Sequence, residues 1–412
     1  MNADGLKNSS KLLLSPGRIL QMKYDLVVIG AGIQGAGVAQ AAAAAGYTVL
    51  VLEQSFPAAG TSSKSSKLIH GGLRYLESAQ FGLVRESLHE RALLLKLAPD
   101  LVKLKPLHIP VYKNSQRGSM TIRAGLSLYA LLSGMDANAM FHSLPKAQWD
   151  NFEGLRQDDL QAVFRYYEAQ TDDAALTRAV LHSAMELGAD CEIPGYFVHA
   201  HVTAQCCLVE FESEFGFKTA SCRVLVNCAG PWASDVISRI QPDMYLPSVD
   251  LVQGSHLVLP PLLNHYFYLE APQDKRAVFV LPWQGKLMLG TTEKPFTDEP
   301  EKTSCTEEER DYLLDVLTHY FPNLHIDRNH VQSFAGLRVL PRGNNAAFSR
   351  SREVLLEVDN EACPRVLSVM GGKLTTYRAT AQAALAKIMA SLPVKTKIAD
   401  TSQIPLSPVD WS

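Results

Sequence analysis

The stretch that decides the fold is YDLVVIGAGIQGAGVAQAAAAAGYTVLVLEQ, residues 24–54. It begins with an apolar, β-branched run at 26–29, typical of a buried parallel strand, and three glycines follow at the spacing GxGxxG. A helix of small residues comes next, Gly46 ends it, and 48–52 reads as a second strand that ends at Glu53. This order of strand, glycine turn, helix and strand predicts a complete βαβ unit.

Each residue type in this unit has a physical reason to hold a dinucleotide. Gly30 permits the tight turn, Gly32 lets the backbone approach a pyrophosphate at a helix N-terminus, and Gly35 allows close packing of helix on strand. Glu53, 18 residues after Gly35, can accept hydrogen bonds from the adenosine ribose hydroxyls. A glycine-rich turn without a ligand shares the bare GxGxxG pattern, but the strands, helix and terminal acid in this order favour dinucleotide binding.

FAD and NAD share this fingerprint, so the choice between them depends on the next segment, AAGTSSKSSKLIHGGLRYLE at 58–77. It places many hydroxyl groups directly after the second strand, where they suit a second phosphate and a flavin edge. A flexible serine loop is the alternative. The candidate cofactor-binding hydroxyls are Thr61, Ser62, Ser63, Ser65 and Ser66.

Composition limits the classes of function. The 412 residues are 47% hydrophobic and 20% charged with a formal net charge of −3, which predicts an α/β protein of one large domain with an insertion, or of two domains. The near-neutral balance lacks the electrostatic footprint of a nucleic-acid binder. Seven cysteines without a CxxC pair or zinc spacing argue against a disulfide framework and a structural metal.

The lack of a recognisable signal peptide or membrane-spanning run leads us to expect a cytoplasmic protein. Residues 1–21 contain only a three-leucine run before Pro16, which is too short for a signal-peptide core of roughly 7 to 15 apolar residues. We expect them to form a disordered extension, with Met22 as a possible natural start. No run reaches the roughly 18 apolar residues of a membrane-spanning helix.

Helical spacing and end signals predict further elements along the chain. The apolar positions of 83–98 predict a helix that Pro99 ends, and 174–188 predicts a helix capped by one of the three residues before it. The run at 306–321 predicts an acidic helix.

Eight sequence blocks, in order, resemble the FAD-dependent glycerol-3-phosphate dehydrogenases. They are GAGIQGAG (30–37), TSSKSSKLIHGGLRYLE (61–77), FRYYEAQTDDAAL (164–176), VNCAGPWA (226–233), QGSH (253–256), LPWQGKLMLGTTE (281–293), FAGLRVL (334–340) and GGKLTTYR (371–378).

The resemblance implies an α/β fold with a Rossmann-like FAD-binding domain of the glutathione-reductase/D-amino-acid-oxidase type and an inserted substrate cap domain built on a mixed or antiparallel sheet. The expected segments are 22–95, 170–238 and 336–395 for FAD binding, 96–169 and 239–335 for the cap, and 396–412 for a tail. The family carries a further C-terminal helical domain, which a chain ending 34 residues after Arg378 is expected to lack.

The activity that the resemblance implies is oxidation of sn-glycerol 3-phosphate to dihydroxyacetone phosphate, with hydride passing from C2 to flavin N5 and electrons passing on to quinone, oxygen or another acceptor. Arg74, Arg338 and Lys373 fall in the resemblance blocks and would supply three positive charges to a phosphate dianion. The same resemblance adds cofactor-binding candidates, namely Gly230, Gly371, Gly372, Lys373, Leu374 and Thr375.

The general base is left open between two interpretations. Imidazole side chains in general titrate near the working pH, and His70 lies in the loop that is expected to contact the flavin, which makes it a catalytic candidate beside Arg338 and Lys373. It could equally hydrogen-bond the flavin or phosphate without taking a proton, with Arg338 or water assisting the alkoxide. Tyr75 is a candidate for orienting the substrate, and His256 for lining the cap side.

Three further alternatives stay open from the sequence. The segment at 120–135 has a largely apolar face with one arginine, which suits either a peripheral contact with the cytoplasmic face of a membrane or a buried cap helix. The substrate could be a 2-hydroxy acid or an amino acid, although three cationic candidates favour phosphate over one carboxylate. A flavin-binding protein without turnover is the third alternative.

Overall fold

The strands of the protein fall into two sheets. A computed structural model describes residues 23–244, 247–342 and 354–411, so the predicted extension at 1–21 lies outside the described residues. The strands are β1 (Tyr24–Ile29), β2 (Val49–Leu52), β3 (Leu68–Ile69), β4 (Val102–Tyr112), β5 (His142–Leu144), β6 (Leu160–Thr171), β7 (Asp190–Glu192), β8 (Gly195–Val202), β9 (Cys207–Ser213), β10 (Gly216–Asn227), β11 (Ile240–Gln241), β12 (Val249–Leu259), β13 (Tyr266–Glu270), β14 (Ala277–Trp283), β15 (Lys286–Gly290), β16 (Lys294–Phe296), β17 (Gln332–Pro341), β18 (Leu355–Val358) and β19 (Val366–Met370).

The helices confirm the periodicity predictions. The one that ends before Pro99 is α2, and the acidic helix α6 begins after Thr306, whose hydroxyl forms a capping box with Glu309. The predicted cap of α4 is Asp172, which accepts a hydrogen bond from the amide of Ala175. The helices are α1 (Ile33–Ala44), α2 (Phe81–Leu97), α3 (Ser119–Leu132), α4 (Asp173–Glu186), α5 (Ala233–Ser238), α6 (Glu307–Tyr320) and α7 (Tyr377–Ile388).

The first sheet carries the predicted βαβ unit at its centre. Its strand order is β11-β8-β9-β10-β1-β2-β7, with β19 pairing β10 and β18 pairing β19. The strands β10, β1, β2 and β7 run parallel, whereas β8, β9 and the first half of β10 form an antiparallel meander. All six residues of β1 are buried. Helices α1, α4 and α7 pack on one face of this strand, and apolar side chains of β8 and β9 pack on the other.

Close packing explains the small residues of α1. This helix packs against α4 and α7, and a Cβ added at Gly37 would lie 2.8 Å from the ring of Tyr377. The alanines of α1 are buried in one hydrophobic cluster with the apolar side chains of β1 and β19. Larger side chains on α1 would push α7 away from the sheet, and the first strand would lose its cover.

The second sheet has the mixed character that was predicted for the cap. Its order is β16-β12-β15-β14-β13-β4-β6-β3, with β17 beside β12 and β5 beside β6. The pairs are antiparallel except for β13 and β4, which run parallel. The helix α6 covers one face through a hydrophobic cluster, and α2 and α3 contribute to another cluster on this sheet. The α/β fold class with two differently built layers is therefore confirmed.

The strands also show how the two layers exchange chain segments. β3 and the whole of β17 belong to the second sheet, so β17 crosses the predicted domain join at 336. β11 belongs to the first sheet although it follows the predicted join at 238. The division into domains with those boundaries stays a prediction. The predicted tail is packed against the first layer, where the amide of Leu406 donates to the carbonyl of Leu97.

Candidate active site

A cavity of about 850 Å³ lies between the two sheets. The first sheet contributes the carboxyl ends of β1 and β2, and the second sheet contributes β12 and β17. In an open parallel sheet the crevice outside the carboxyl ends of the strands is the usual ligand site. The cavity therefore lies where the βαβ unit predicts a dinucleotide.

The three glycines of the fingerprint form a turn that leaves no room for side chains. Gly30 has φ of +96°, and a Cβ there would lie 2.8 Å from the carbonyl oxygen of Cys228. A Cβ on Gly35 would lie 1.9 Å from the carbonyl oxygen of Gly30, so this glycine sits behind the cavity and permits the close approach of helix to strand. Gly32 lines the cavity, and a Cβ there would lie 3.1 Å from Ser62 Oγ.

Two side chains from later in the chain satisfy the first amides of this turn. Glu53 is 8% exposed and accepts from the amide of Ala31 at 2.8 Å, and Ser62 Oγ accepts from the amide of Ile33 at 2.9 Å. Gly32 at the helix N-cap offers no side chain for this purpose. Both Glu53 and Ser62 line the cavity, so groups suited to ribose and phosphate lie together at the start of α1.

The other predicted hydroxyls divide into lining and loop-building residues. Ser65 and Ser66 line the cavity, and Ser66 Oγ is 2.8 Å from Nε2 of His256. Thr61 also lines it while donating to the carbonyl of Leu337 at 2.9 Å. Ser63 is not among the lining residues, because its hydroxyl donates to the carbonyl of Gly60 within the loop. The alternative of a flexible serine loop does not fit this set of contacts.

A buried ion pair that the sequence analysis did not single out fixes the serine loop. The ammonium of Lys67 is 2.6 Å from Oδ1 of Asp173 and donates to the carbonyl of Ser63 at 2.7 Å. Oδ2 of Asp173 accepts from the amide of Ser65, so one carboxylate at the start of α4 holds two parts of the loop. The side chain of Asp173 is fully buried and that of Lys67 is 10% exposed. Asp173 lies in the block 164–176 and was one of the candidate caps of α4, but its sequence position did not predict the ion pair with Lys67.

Removing one partner of this pair is expected to destabilise the protein strongly. Asp173→Ala leaves the Lys67 charge buried without its carboxylate, so the free energy of unfolding should fall by about 3–5 kcal/mol in urea denaturation of the FAD-loaded protein. Replacing both partners with apolar side chains, Lys67→Met with Asp173→Leu, should recover part of that loss. A single variant as stable as the wild type would contradict the assigned role.

The predicted substrate residues Arg338 and His256 meet on the second-sheet side of the cavity. Arg338 lies on β17 with its side chain 24% exposed, and Nη2 donates to Thr291 Oγ1 at 3.3 Å. His256 on β12 is 2% exposed and stacks on Phe334 with ring centroids 4.8 Å apart. Burial, together with the charges of Arg338 and Lys67, lowers the pKa of His256 to about 3, so this ring is neutral at physiological pH.

His70, Tyr75 and Lys373 also line the cavity. The backbone amide and carbonyl of His70 both contact Thr375 Oγ1, at 3.2 and 3.4 Å, which ties the presumed flavin loop to the segment before α7. The ammonium of Lys373 lies 4.1 Å from the ring centroid of Tyr75 and donates to Ser87 Oγ at 3.3 Å. The pair of His70 and Thr375 joins residues that are 305 positions apart in the chain.

The glycine pair before α7 adopts the backbone shape that only glycine takes easily. Gly371 and Gly372 have φ of +77° and +85°, and a Cβ on Gly372 would lie 2.5 Å from Nε2 of Gln34. Both line the cavity, as do Leu374 and Gly230. Gly230, which follows β10, thus lines the same cavity as the glycine turn after β1.

Arg74 does not join the other substrate candidates. It is not among the lining residues, and its charge acts on Tyr268 of the second sheet, whose pKa is raised by burial and only partly lowered again by Arg117 and Arg74. The 3₁₀ turn at 73–76 directs Tyr75 into the cavity and Arg74 elsewhere. Of the three predicted substrate cations, Arg338 and Lys373 line the cavity and Arg74 does not, so a substrate contact of Arg74 stays a prediction.

A buried polar network holds the loop that carries His70. The amide of Gly71 donates to Tyr129 OH at 3.0 Å, and Tyr129 donates to Glu168 Oε1 at 2.6 Å. Arg91 completes the network with a 2.7 Å contact to Glu168 Oε2. Burial raises the pKa of Tyr129, so its hydroxyl keeps its proton and donates at physiological pH. Sequence reasoning missed this network, since a mid-helix tyrosine and arginine carry no distinguishing pattern.

Aromatic and acidic side chains line a part of the cavity that the sequence analysis did not assign. Trp232 Nε1 donates to Glu301 Oε1 at 2.5 Å, and a Cβ on Gly60 would lie 3.2 Å from the Trp232 ring. Tyr196 and Arg239 line the same cavity and hydrogen-bond each other at 3.1 Å. The quoted block VNCAGPWA contained Trp232, so the signal for this residue was present.

These features fit FAD. The absence of a Cβ at Gly32 leaves room for a pyrophosphate at the N-terminus of α1, and Glu53 lies beside this space for a ribose. The positive φ glycines 371 and 372, with Lys373 after them, offer amides and a cation to the flavin ring. The cavity volume suits a ligand of dinucleotide size plus a small substrate.

Comparison with known proteins agrees with this geometry. The sequence profile of the family described as FAD dependent oxidoreductase matches residues 25–392. The chain belongs to this family. The oxidoreductase is 37% identical to a glycerol-3-phosphate dehydrogenase of Pseudomonas aeruginosa over 385 residues, which is 91% of this chain and 73% of that protein. The FAD cofactor and the resemblance drawn from the eight blocks are thereby confirmed.

Two other relatives of the oxidoreductase are informative. A D-erythritol 1-phosphate dehydrogenase of Brucella abortus is 35% identical over 377 residues, covering 90% of this chain and 74% of that protein. The solved structure of the glycerol-3-phosphate dehydrogenase of Bacillus halodurans complexed with FAD superposes with a TM-score of 0.72 at 26% identity, covering 93% of this chain and 67% of that one. The family match and this structural similarity confirm the predicted D-amino-acid-oxidase type of fold.

Proposed function

We propose that this oxidoreductase oxidises sn-glycerol 3-phosphate to dihydroxyacetone phosphate. The observation that carries the proposal is that Arg338 and Lys373, from separate layers of the fold, line one flavin-sized cavity. Two cations suit a phosphate dianion, whereas a 2-hydroxy acid or an amino acid presents a single carboxylate. The names of the relatives at 35% and 37% identity, both dehydrogenases of polyol phosphates, support the same substrate class.

The residues divide the work of binding and proton handling. Arg338 binds the substrate anion through a guanidinium already oriented by Thr291, and Lys373 adds a second positive charge. His70 is the candidate that takes the C2 hydroxyl proton, because its backbone is fixed by Thr375 at the cavity wall. His256 is neutral and hydrogen-bonded to Ser66, so it offers a polar wall without a competing charge. When bound, FAD would supply the hydride acceptor, at its N5 atom, for the hydrogen on C2 of the substrate.

Anaerobic spectroscopy tests the substrate directly. Adding glycerol 3-phosphate to the purified FAD-loaded protein should bleach the oxidised-flavin absorbance in the visible range, as expected of a substrate whose hydride is transferred. D-erythritol 1-phosphate, glycerol and 2-hydroxy or amino acids serve as comparison ligands in the same assay. Glycerol is the matched control, since it lacks only the phosphate.

The outcomes separate the alternatives. Rapid bleaching by glycerol 3-phosphate but not by glycerol supports the proposal. Faster bleaching by the tetritol phosphate would move the substrate within the polyol phosphate class. Bleaching only by a hydroxy or amino acid would replace the proposal with the second alternative, and a flavin that none of these compounds reduces would favour a non-catalytic flavin protein.

We also propose that the electrons pass to a quinone at the cytoplasmic face of a membrane, to which the protein attaches peripherally through α3. This helix buries Leu126 and Tyr129 and exposes Met120 and Leu131, 76% and 64% exposed, with Met135 beyond its end. Tyr129 on the buried face of α3 accepts a hydrogen bond from the amide of Gly71, next to His70. The exposed apolar stripe of this helix, formed by Met120 and Leu131, is therefore separated from the loop of His70 by the width of α3. Among the described ranges no helix has both the length and the apolarity to cross a bilayer.

Vesicle sedimentation tests the attachment. The wild type should sediment with phosphatidylglycerol-containing vesicles, and the double variant Met120→Glu with Leu131→Glu should remain in the supernatant because charged side chains oppose burial of the stripe in the interface. Met389→Glu, another exposed methionine away from α3, is the control that should still sediment. Equal binding of all three proteins would reject α3 as the contact, and no binding by the wild type would reject the membrane.

A further inference from the structure

Glu293 lies between two guanidinium groups on the second-sheet side of the cavity. Its Oε2 is 2.7 Å from Nη2 of Arg276, and its Oε1 is 3.6 Å from Nη1 of Arg338. The Glu293 side chain is 2% exposed, whereas the two arginine side chains are 16% and 24% exposed. The carboxylate therefore binds Arg276 tightly and Arg338 loosely.

Neighbours other than Glu293 also fix the guanidinium of Arg338. Nη2 of Arg338 donates to Thr291 Oγ1, two residues before Glu293. A Cβ on Gly254 would lie 2.8 Å from this Nη2, so a larger residue at this position of β12 would displace the guanidinium from its present place. The side chain of Arg338 is thus held by the segment after β15 while it faces the cavity.

The unequal contacts decide how much charge the cavity receives. Two guanidinium groups and one carboxylate carry a net charge of +1, and all three groups are largely removed from water. A short contact neutralises a partner more than a contact at 3.6 Å, so Arg276 takes most of the carboxylate's field. Arg338 therefore keeps positive charge for an incoming anion.

We propose that Glu293 is a positioning residue that sets the orientation and the available charge of Arg338 toward the substrate phosphate, with Arg276 as the competing partner that keeps the Glu293 carboxylate from neutralising Arg338. The inference rests on the proposed function for the identity of the anion. Nothing in it requires Glu293 to touch the substrate, and Glu293 is not among the residues that line the cavity.

Two substitutions are expected to move anion affinity in opposite directions. Arg276→Gln releases the carboxylate to pair fully with Arg338, so the Kd for inorganic phosphate should rise at least about threefold. Glu293→Gln raises the net charge of the cluster to +2, so the same Kd should fall. Because Arg338 then keeps its contact with Thr291 but loses the carboxylate that helps to orient it, kcat should fall about 10- to 100-fold, the size of effect that a small misplacement produces.

The conservative variant separates positioning from general damage. Glu293→Asp keeps the charge and shortens the reach, so it should recover a large part of the kcat that Glu293→Gln loses. A merely structural role would change thermal stability in all three variants without opposite effects on phosphate affinity. If Glu293→Gln fails to fold, the rise in phosphate Kd for Arg276→Gln still tests the inference.

The experiment uses the FAD-loaded proteins and measures two quantities. The Kd for inorganic phosphate is taken from its perturbation of the flavin absorbance spectrum, and kcat and KM from anaerobic reduction by glycerol 3-phosphate. If the wild-type protein binds phosphate but glycerol 3-phosphate does not reduce its flavin, the proposed function fails. The phosphate affinities of the variants then still test how Glu293 divides its charge between Arg276 and Arg338. Affinities that shift in the same direction in both variants, or a wild type that does not bind phosphate, would overturn the inference.

Discussion

Replacing Arg338 with alanine is expected to lower kcat/KM for glycerol 3-phosphate by about 2–5 kcal/mol, roughly 30-fold to several thousand-fold. The reason is that this guanidinium faces the cavity from a largely desolvated setting between Thr291 and Glu293. The variant loses the planar donor fork for the phosphate and removes one of the two guanidinium groups beside the Glu293 carboxylate. Both changes weaken anion binding, so KM should rise while kcat falls.

Steady-state kinetics with an artificial electron acceptor measures this effect independently of the natural acceptor. Arg328→Ala is the matched control, because Arg328 is 62% exposed and pairs with Asp311 on the surface. Its kinetics should equal those of the wild type. Wild-type kinetics in Arg338→Ala would remove Arg338 from the substrate site.

Replacing Gly32 with valine is expected to abolish retention of FAD. A Cβ at this position already lies 3.1 Å from Ser62 Oγ, and the two methyl groups of valine extend further into the space in front of α1. The pyrophosphate needs that space, because the N-terminus of the helix, with its positive dipole end, is where a pyrophosphate binds in this kind of βαβ unit. The purified variant should be colourless, with an FAD content near zero after gel filtration.

A glycine in open space supplies the control for this variant. A Cβ on Gly82, in the first turn of α2, would have no packing partner within 4 Å among the described residues, so Gly82→Val should retain FAD as the wild type does. Circular dichroism of Gly32→Val distinguishes loss of the cofactor from loss of the fold. A yellow, folded Gly32→Val protein with full FAD content would show that the pyrophosphate does not approach at this glycine.

The parts of the molecule that depend on neighbours in sequence could be predicted. The βαβ unit, the cap of α4 and the ends of α2 and α6 all follow from residues within a few positions of one another. The same holds for the glycines, because a positive φ or a missing Cβ is a local requirement that only one residue type meets. Local rules therefore predicted the βαβ unit and the glycine turns that line the cavity.

The contacts that the sequence could not show join distant segments. Asp173 lies 106 positions from Lys67, and no spacing rule connects a lysine after a serine run with a helix cap. Likewise Glu293 binds Arg276 across a β-hairpin, although the block 281–293 that ends at Glu293 predicted no such contact. Arg74 shows the reverse case, since its place in a motif suggested the cavity while the short 3₁₀ turn sends Tyr75 there instead. Side-chain direction in irregular turns is set by tertiary packing, which motifs do not encode.

The first turn of α1 has a consequence for how cofactor affinity and folding are linked. The amides of Ala31 and Ile33 are capped by Glu53 and Ser62, which lie 22 and 29 positions later in the chain. If the serine loop opens, the amide of Ile33 loses its Ser62 acceptor and should exchange hydrogen for deuterium as part of the loop's cooperative unit, whereas the amide of Ala31 keeps its bond to Glu53. Bound FAD closes that unit by mass action, and each tenfold excess of free FAD over its Kd adds about 1.4 kcal/mol to the cost of opening it.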